Sequence, residues 1–159
     1  IQIMADTSLY EKKIGLLIWH VSNHWQNKLR NILKKYNLSL NEYLIFEALA
    51  ELESNLKPIT QTSISSFSGI DISVVSVCLK SLSKKKYINR KLDNDNRKKI
   101  ITFLKEGFQL YNEINPKIKL QENELFDKLK NEKINFCNSL KLIIGKKIRI
   151  KAGNIHENK

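Results

Sequence analysis

Glycine, proline and cysteine are scarce in this chain, which has 5 Gly, 2 Pro and 2 Cys among its 159 residues. Because a β-sandwich needs many tight turns and a nucleotide-binding loop needs clustered glycines, this scarcity argues against both and favours helices. Cys78 and Cys137 lie far apart, without the ligand spacing of a zinc finger or the density of a disulfide framework. We therefore expect a reducing, cytoplasmic environment.

Long apolar runs are also missing from the chain. The longest run is much shorter than the ~20 residues that a membrane span requires, and no charged segment followed by an apolar core marks an export signal. We therefore expect no membrane partner. Residues 1–3 precede the single methionine, Met4, where we expect the native chain to start.

Positive charge is what the chain has in excess. Its 28 Lys and Arg against 16 Asp and Glu give a formal net charge of +12, and 42% of the residues are hydrophobic, enough for the core of one globular domain. Such a charge attracts polyanions, so nucleic acid or an anionic surface is the leading class of partner.

Apolar residues recur every three or four positions along the N-terminal part, which is the period of an amphipathic helix. The pattern predicts one long first helix from Tyr10 to Tyr36. At a rise of ~1.5 Å per residue it would span ~40 Å, so part of its apolar stripe is available for a second chain. Ser39 and Glu42 have the spacing of a capping box and predict a second helix to about Leu52.

Two short helices follow, joined near a glycine. The third helix, with Ile64 and Phe67 turned inward, ends at Gly69, and Asp71 caps the fourth helix. The fourth helix is amphipathic and should bury one side while exposing the other. Its predicted buried stripe is Val75, Cys78, Leu79 and Leu82, and its predicted outer side is Ser73, Ser76, Val77, Lys80 and Lys84.

The C-terminal half begins with a hairpin. Residues 87–92 and 99–104 are rich in β-branched and aromatic residues, and the turn formers of 93–96 separate them. A long helix from Lys105 is expected to be strained or broken near Pro116, because proline lacks the amide proton of the helix ladder. A last helix is expected from about Glu132.

Basic residues are concentrated where the fourth helix meets the hairpin. Between residues 80 and 99 nine basic side chains face only two acidic ones, Asp93 and Asp95. These residues could simply form a solvent-exposed basic surface without a binding function. However, two helices followed by a basic hairpin are typical of a winged helix-turn-helix. The nine are Lys80, Lys84, Lys85, Lys86, Arg90, Lys91, Arg97, Lys98 and Lys99.

These segments resemble the MarR family of winged-helix transcriptional regulators. Residues 67–76 are similar to the family's turn and the start of its recognition helix, and residues 87–90 are similar to the first wing strand. Residues 94–97, with Gly107 ten positions later, are similar to the wing signature. The resemblance implies a mainly α protein with a small β-hairpin wing, that is, a winged helix-turn-helix plus a helical dimerisation domain.

The resemblance also implies a division of the chain and a set of DNA contacts. Residues 4–36 and 105–151 would dimerise, residues 37–104 would form the DNA-binding lobe, and residues 152–159 would be a flexible tail. Lys84, Arg90 and Lys98 of the basic cluster join the interface as contacts to DNA. By resemblance, Ser73, Val74, Ser76, Val77 and Lys80 would face the major groove, Arg97 the minor groove, and Asp95 would help hold the wing.

The expected function is therefore that of a regulator, commonly a repressor, that binds double-stranded DNA as a homodimer. No Arg lies on the outer side of the fourth helix, so shape and phosphate contacts should favour an A·T-rich operator. The two-fold symmetry of a homodimer predicts that the operator is pseudo-palindromic. No catalytic motif is present, and we expect neither an enzyme nor a cofactor. The alternatives are a winged helix that docks another regulator, and an RNA-binding module, which the lack of an aromatic platform disfavours.

His20, His24 and Trp25 lie close together on the first helix. Two histidines four residues apart can share a metal, but they do not complete a site. A packed aromatic and imidazole cluster is the main alternative. A pocket for a small-molecule effector is the third, because such ligands in the MarR family often bind where dimerisation helices meet the DNA-binding lobe.

Both cysteines are expected on buried helix faces, Cys78 on the fourth helix and Cys137 on the last. Buried thiols are usually inert. A redox switch at either residue is the competing hypothesis.

Overall fold

The structure, a computed structural model, describes residues 8–55, 57–92, 94 and 98–146. The chain divides into two units, residues 1–122 and 123–159. The fold is mainly α with one antiparallel hairpin, as the sequence predicts. In chain order the elements are α1 (Leu9–Lys12), α2 (Ile14–Leu33), a 3₁₀ turn (Lys34–Tyr36), α3 (Leu40–Glu53), α4 (Gln61–Ser68), α5 (Ile72–Lys84), β1 (Ile88–Leu92), β2 (Lys99–Phe103), α6 (Lys105–Phe126), a 3₁₀ segment (Asp127–Glu132) and α7 (Lys133–Ile143).

The single first helix predicted from Tyr10 to Tyr36 is wrong near its start, whereas its end at Tyr36 is confirmed. Lys13 is extended, with φ −108° and ψ 110°, and separates α1 from α2. At the other end the helix tightens into the 3₁₀ turn, and Asn37 adopts a left-handed conformation with φ 52°. Asparagine tolerates this conformation, which turns the chain toward α3. The helix α2 itself therefore spans only ~30 Å.

The ends of the helices that carry the site are closed by their own side chains. The Ser39 amide donates to Glu42 at 2.8 Å and the Glu42 amide donates to Ser39 Oγ at 3.1 Å, which confirms the predicted capping box. Gly69 ends α4 with φ 73°, as expected. Phe67 does not turn inward: it is 55% exposed, because it lies on the last turn of α4, beyond the edge of the core.

The core of the first unit surrounds α3. Tyr43, Phe46 and Leu49 of this helix are fully buried. Each neighbouring helix adds large apolar side chains to them, so α2, α5 and α6 are held against α3 by hydrophobic burial. These side chains are Leu29 and Leu33 from α2, Val75, Leu79 and Leu82 from α5, and Ile114 and Ile118 from α6.

The hairpin pairs as predicted, with Ile88 opposite Phe103 and Leu92 opposite Lys99. Its base gains a third short partner that the sequence did not indicate. Thr60 forms a bridge to Ile100, and the Ile101 amide donates to the Ile59 carbonyl at 2.9 Å. This pairing ties the start of α4 to the hairpin.

Pro116 does not break α6, so of the two predicted outcomes, a strained or a broken helix, the broken one is wrong. The helix is continuous from Lys105 to Phe126 with Pro116 inside it. Proline removes one hydrogen bond of the ladder. However, Ile114 and Ile118 on either side of it are both fully buried in the core. Their burial outweighs the local cost.

The second unit begins at Asn123 and contains the end of α6, the 3₁₀ segment and α7. Lys130 has φ 48° and ψ −124°, so the chain kinks there rather than at Pro116. Cys137 is exposed on α7, which corrects the prediction that its thiol is buried. Apolar periodicity marks one face of a helix but does not say whether this chain itself covers that face.

Candidate nucleic-acid interface

The helix α5 presents one polar and basic face to solvent. Ser73, Val77, Lys80 and Lys84 are exposed, at helical spacings of four, three and four residues. The opposite stripe of Val75, Cys78, Leu79 and Leu82 is buried, as the sequence predicts. Two other predicted contacts are less accessible: Ser76 is half-buried, and Val74 is half-buried against the core.

The N-terminus of α5 is fixed to α4. Asp71 accepts hydrogen bonds from the Ser73 amide at 2.8 Å and from the Ser73 hydroxyl, and these bonds hold the pKa of the Asp71 carboxyl below its usual value. Ser65 Oγ donates to the Ile70 carbonyl at 2.7 Å, and Gln61 Nε2 donates to the Ile72 carbonyl at 3.3 Å. The turn between the two helices is therefore held by side chains of α4.

The C-terminal part of α5 is fixed by a buried carboxylate. Glu42, 5% exposed, accepts from Ser81 Oγ at 2.6 Å and from Lys85 Nζ at 2.9 and 3.0 Å, while Lys85 Nζ also donates to the Asn37 carbonyl at 2.7 Å. Burial alone would raise the pKa of Glu42, but hydrogen bonds from Ser81, the Ser39 amide and Lys85 outweigh it and lower the pKa. The sequence indicated Glu42 only as a helix cap.

A cleft of about 560 Å³ lies between the first turn of α4 and the hairpin. It brings the predicted contacts Arg90 and Lys98 together with Lys99. Arg90 is half-buried, and its Nε is buried with no hydrogen-bond partner in the described part of the chain. Hydroxyl and amide side chains of Thr60, Gln61, Thr62, Ser63 and Ser66 line the other wall. Cations facing hydroxyl and amide donors suit an anion such as a backbone phosphate.

The predicted wing-tip residues Asp95 and Arg97 lie outside the described residues. Gly107, the last residue of the predicted wing signature, is buried in α6 against the backbone of Tyr87.

The structure does not gather His20, His24 and Trp25 around one cavity. His20 is exposed and its ring lies 4.8 Å from that of Tyr10 and 5.1 Å from that of Trp19, between centroids. His24 is also exposed, whereas Trp25 is half-buried and its indole donates to Glu122 Oε1 at 2.8 Å. Across the described ranges no group of three or more His, Cys, Asp or Glu could hold a metal ion.

A cavity of about 290 Å³ lies between α3, the end of α4 and α6, and no sequence pattern indicated it. Its lining includes Leu44, Glu47, Phe67 and Tyr111. Burial raises the pKa of Glu47, which accepts from the Tyr43 hydroxyl at 2.9 Å. The cavity could take a small organic ligand.

Cys78 is buried on α5, as expected, and burial raises the pKa of its thiol, which disfavours the reactive thiolate. Within the residues described, no helix is both long and apolar enough to cross a membrane.

Comparison with known proteins gives consistent matches. The family model described as "Transcriptional regulator SarA/Rot" matches residues 28–114, more than half of the chain. YdcH, an uncharacterized HTH-type transcriptional regulator of Bacillus subtilis (strain 168), is 25% identical over 92 residues. The match covers 58% of this chain and 63% of YdcH, so the chain spans less than two thirds of that relative's length.

Solved structures share the fold. A transcriptional regulator of the MarR family from Rhodococcus sp. RHA1 matches with a TM-score of 0.68 and 20% identity, over 86% of this chain and 95% of that one. BpsR of Bordetella bronchiseptica, whose DNA binding is regulated by 6-hydroxynicotinic acid, matches with a TM-score of 0.75 and 15% identity, over 88% of this chain and 99% of its own. At these identities the likeness establishes the fold alone.

Proposed function

Because the chain belongs to the SarA/Rot family of transcriptional regulators and has the MarR-type winged-helix fold, we propose that it binds double-stranded DNA through α5 and the hairpin. The family and fold are those of transcriptional regulators, which are not enzymes. The observation that carries the proposal is the exposed face of α5 beside the cationic cleft of Arg90, Lys98 and Lys99. A helix fits the major groove, and cations at its flank match a phosphate strand.

Within this interface we propose that Ser73, Val77 and Lys80 face base edges while Lys84 contacts phosphate. A valine can contact a thymine methyl, and small hydroxyls discriminate weakly between bases. Arg97 would reach the minor groove, with Asp95 holding the wing. Since arginine in a narrow minor groove favours A·T-rich DNA, we propose an A·T-rich operator.

We propose that the regulator acts as a homodimer on a pseudo-palindromic site, with repression as its mode. Residues 4–36 and 105–151 would form the dimerisation region around the DNA-binding lobe of 37–104, with 152–159 as a tail. Large apolar side chains are exposed within that proposed region, which supports it. They include Leu9, Ile14 and Trp19 in the first unit and Ile134, Leu142 and Ile143 in the second.

A small-molecule effector is a second part of the proposal, and we place its site in the 290 Å³ cavity rather than at His20, His24 and Trp25. BpsR, which shares the fold, is regulated by such a ligand. Screening aromatic fragments by ligand-observed NMR would test the site. Binders should lose affinity for a Phe67→Trp variant, which enlarges a side chain that lines the cavity. Fragments that bind this variant equally well would contradict the placement.

The DNA proposal is tested by titrating the protein against labelled A·T-rich duplex in about 50 and 200 mM salt with excess competitor DNA. Saturable, competitor-resistant binding is expected, with a large loss of affinity for Lys80→Ala. Little change is expected for Lys57→Ala, an exposed lysine between α3 and α4. Failure to bind any duplex would overturn the proposal and favour a winged helix that docks another protein.

A further inference from the structure

A second cationic cleft contacts α5 and shares no lining residue with the cleft of Arg90 and Lys98. It has a volume of about 620 Å³ and is built by the end of α2, the start of α3 and the outer side of α5. Arg30 and Lys34 line it together with Val77. Val77 is 66% exposed and belongs to the same face of α5 that the proposed function turns toward DNA.

We propose that this cleft receives a phosphate of the DNA backbone, with Arg30 and Lys34 as its cationic ligands. The inference rests on the DNA-binding function proposed above. The two walls of a major groove are two phosphate strands, and the cleft of Arg90 and Lys98 can match only one of them. A helix lying in the groove with Val77 on its exposed face brings Arg30 and Lys34 toward the other strand.

The charges in the cleft are not equivalent. Lys85 also lines it, but both oxygens of Glu42 and the Asn37 carbonyl already hold its ammonium group. Arg30 Nη2 donates to the neutral amide oxygen of Gln26 at 2.8 Å. Over the described residues, neither Arg30 nor Lys34 forms an ion pair with a carboxylate. Within the described part of the chain, no ion pair therefore competes with an external anion for these two exposed cations.

The affinity test compares three variants by their salt dependence on one A·T-rich duplex. Each phosphate contact contributes a slope of about 0.9 in log affinity against log salt. Because the cleft receives one phosphate, Arg30→Ala with Lys34→Ala should lower the slope by about 0.9 for each bound protomer, making the loss of affinity between 50 and 200 mM salt about 3.5-fold smaller. Preference among duplex sequences should not change, because phosphates carry no base identity.

The controls separate position from charge. Arg30→Lys with Lys34→Arg keeps both charges and should keep the slope. Lys35→Ala removes an exposed charge beside Lys34 that does not line the cleft, and should lower the slope much less. If the cleft variant keeps the wild-type slope, the phosphate assignment is overturned while DNA binding stands. If wild-type protein binds no duplex, both proposals fail.

A second readout tells DNA phosphate from a free anion. The chain has four arginines, Arg30, Arg90, Arg97 and Arg149, so the Nε–H resonance of Arg30 can be assigned by its loss in Arg30→Lys. It should shift on adding duplex and stay in place on adding inorganic phosphate at equal ionic strength. The same shift with inorganic phosphate alone would identify a free-anion site and overturn the assignment.

Discussion

Gly107 shows how one residue sets the distance between α6 and the start of the hairpin. A Cβ atom at this position would lie 2.0 Å from the Tyr87 carbonyl oxygen and 2.8 Å from its carbon. That oxygen also accepts from the Leu104 amide at 2.9 Å, so it cannot move freely. Gly107→Ala should therefore destabilise the fold by about 1–3 kcal/mol, the usual cost of overpacking. Urea denaturation measures this.

The matched control for this substitution is Gly15→Ala in α2, where a Cβ would meet nothing within 4 Å. It should stabilise the protein by up to about 1 kcal/mol, because alanine is the better helix former. Equal effects at the two positions would show that the contact with Tyr87 does not constrain the hairpin.

Glu42 should make the stability depend on pH. Its pKa is lower in the folded protein than the ordinary value of 4.5, so the carboxylate stabilises the fold above that pH. This contribution is lost as the pH falls below 4.5 and through the lower folded-state pKa. Glu42→Gln should cost about 1–3 kcal/mol at pH 7, and the deficit should shrink in acid. Urea denaturation from pH 7 down to about pH 3 measures the difference.

Glu51→Gln provides the reference for the pH series, since Glu51 is an exposed carboxylate of the same helix. This variant removes one carboxylate charge without touching the bonds that Glu42 accepts. A deficit of Glu42→Gln that stays constant with pH would show that its charge does not hold Ser81 and Lys85.

Residue roles were predictable from the sequence when the partners are neighbours in the chain. Ser39 and Glu42 are three positions apart, and their capping box follows from that spacing. The bonds from Glu42 to Ser81 and Lys85 span 39 and 43 positions, and no local pattern encodes them. Phe67 was assigned the wrong side for the same reason, because its exposure depends on where other helices end.

At the scale of elements, α6 tests how local propensity competes with packing. Pro116 is exposed and costs the helix one hydrogen bond, while Ile114 and Ile118 hold the helix in the core. Pro116→Ala should stabilise the protein by about 1–2 kcal/mol, less than the ~3 kcal/mol helix penalty of proline because the unfolded chain also becomes more flexible. Calorimetry measures the gain as a rise in Tm.

The opposite substitution checks the physical account of α6. Ile118→Ala should cost about 2–5 kcal/mol, because a fully buried side chain is removed. A loss of stability on Pro116→Ala would mean that proline fits a local distortion rather than being tolerated by packing.

Element boundaries were predictable where capping residues mark them and wrong where only periodicity was available. Gly69 correctly marks the C-terminal end of α4, and Asp71 correctly marks the start of α5. The break at Lys13 interrupts an apolar period that continues on both sides. The bridge between Thr60 and Ile100 joins segments 40 positions apart. A single bridge is too short to produce the alternation of apolar and polar residues by which a strand is predicted.

At the scale of the whole molecule, the proposed homodimer would bury apolar side chains that are exposed to solvent in a single chain. Ile14 is 72% exposed in the first unit and Ile134 is 73% exposed in the second. Periodicity predicted these apolar faces but, as with Cys137, could not tell burial within one chain from burial between two. A buried face and an exposed apolar face therefore look alike in the sequence, and the structure separates these two.

The dimer is tested by placing charge on those faces. Ile14→Glu combined with Ile134→Glu should yield a folded monomer in sedimentation experiments, because a carboxylate buried in an apolar interface without a partner is costly. Affinity for a two-fold operator should fall by roughly 10²–10⁴, since the second half-site no longer binds intramolecularly. The wild-type footprint should be two-fold symmetric, with half-sites about 10 bp apart or somewhat more.

Val77→Glu is the contrasting variant, because it adds the same charge to the exposed face of α5. It should remain dimeric and lose DNA binding through repulsion from phosphates. A double variant that stays dimeric, or a wild-type protein that sediments as a monomer at operator-binding concentrations, would contradict the dimer. Together the two variants separate the surface proposed to join the chains from the surface proposed to contact DNA.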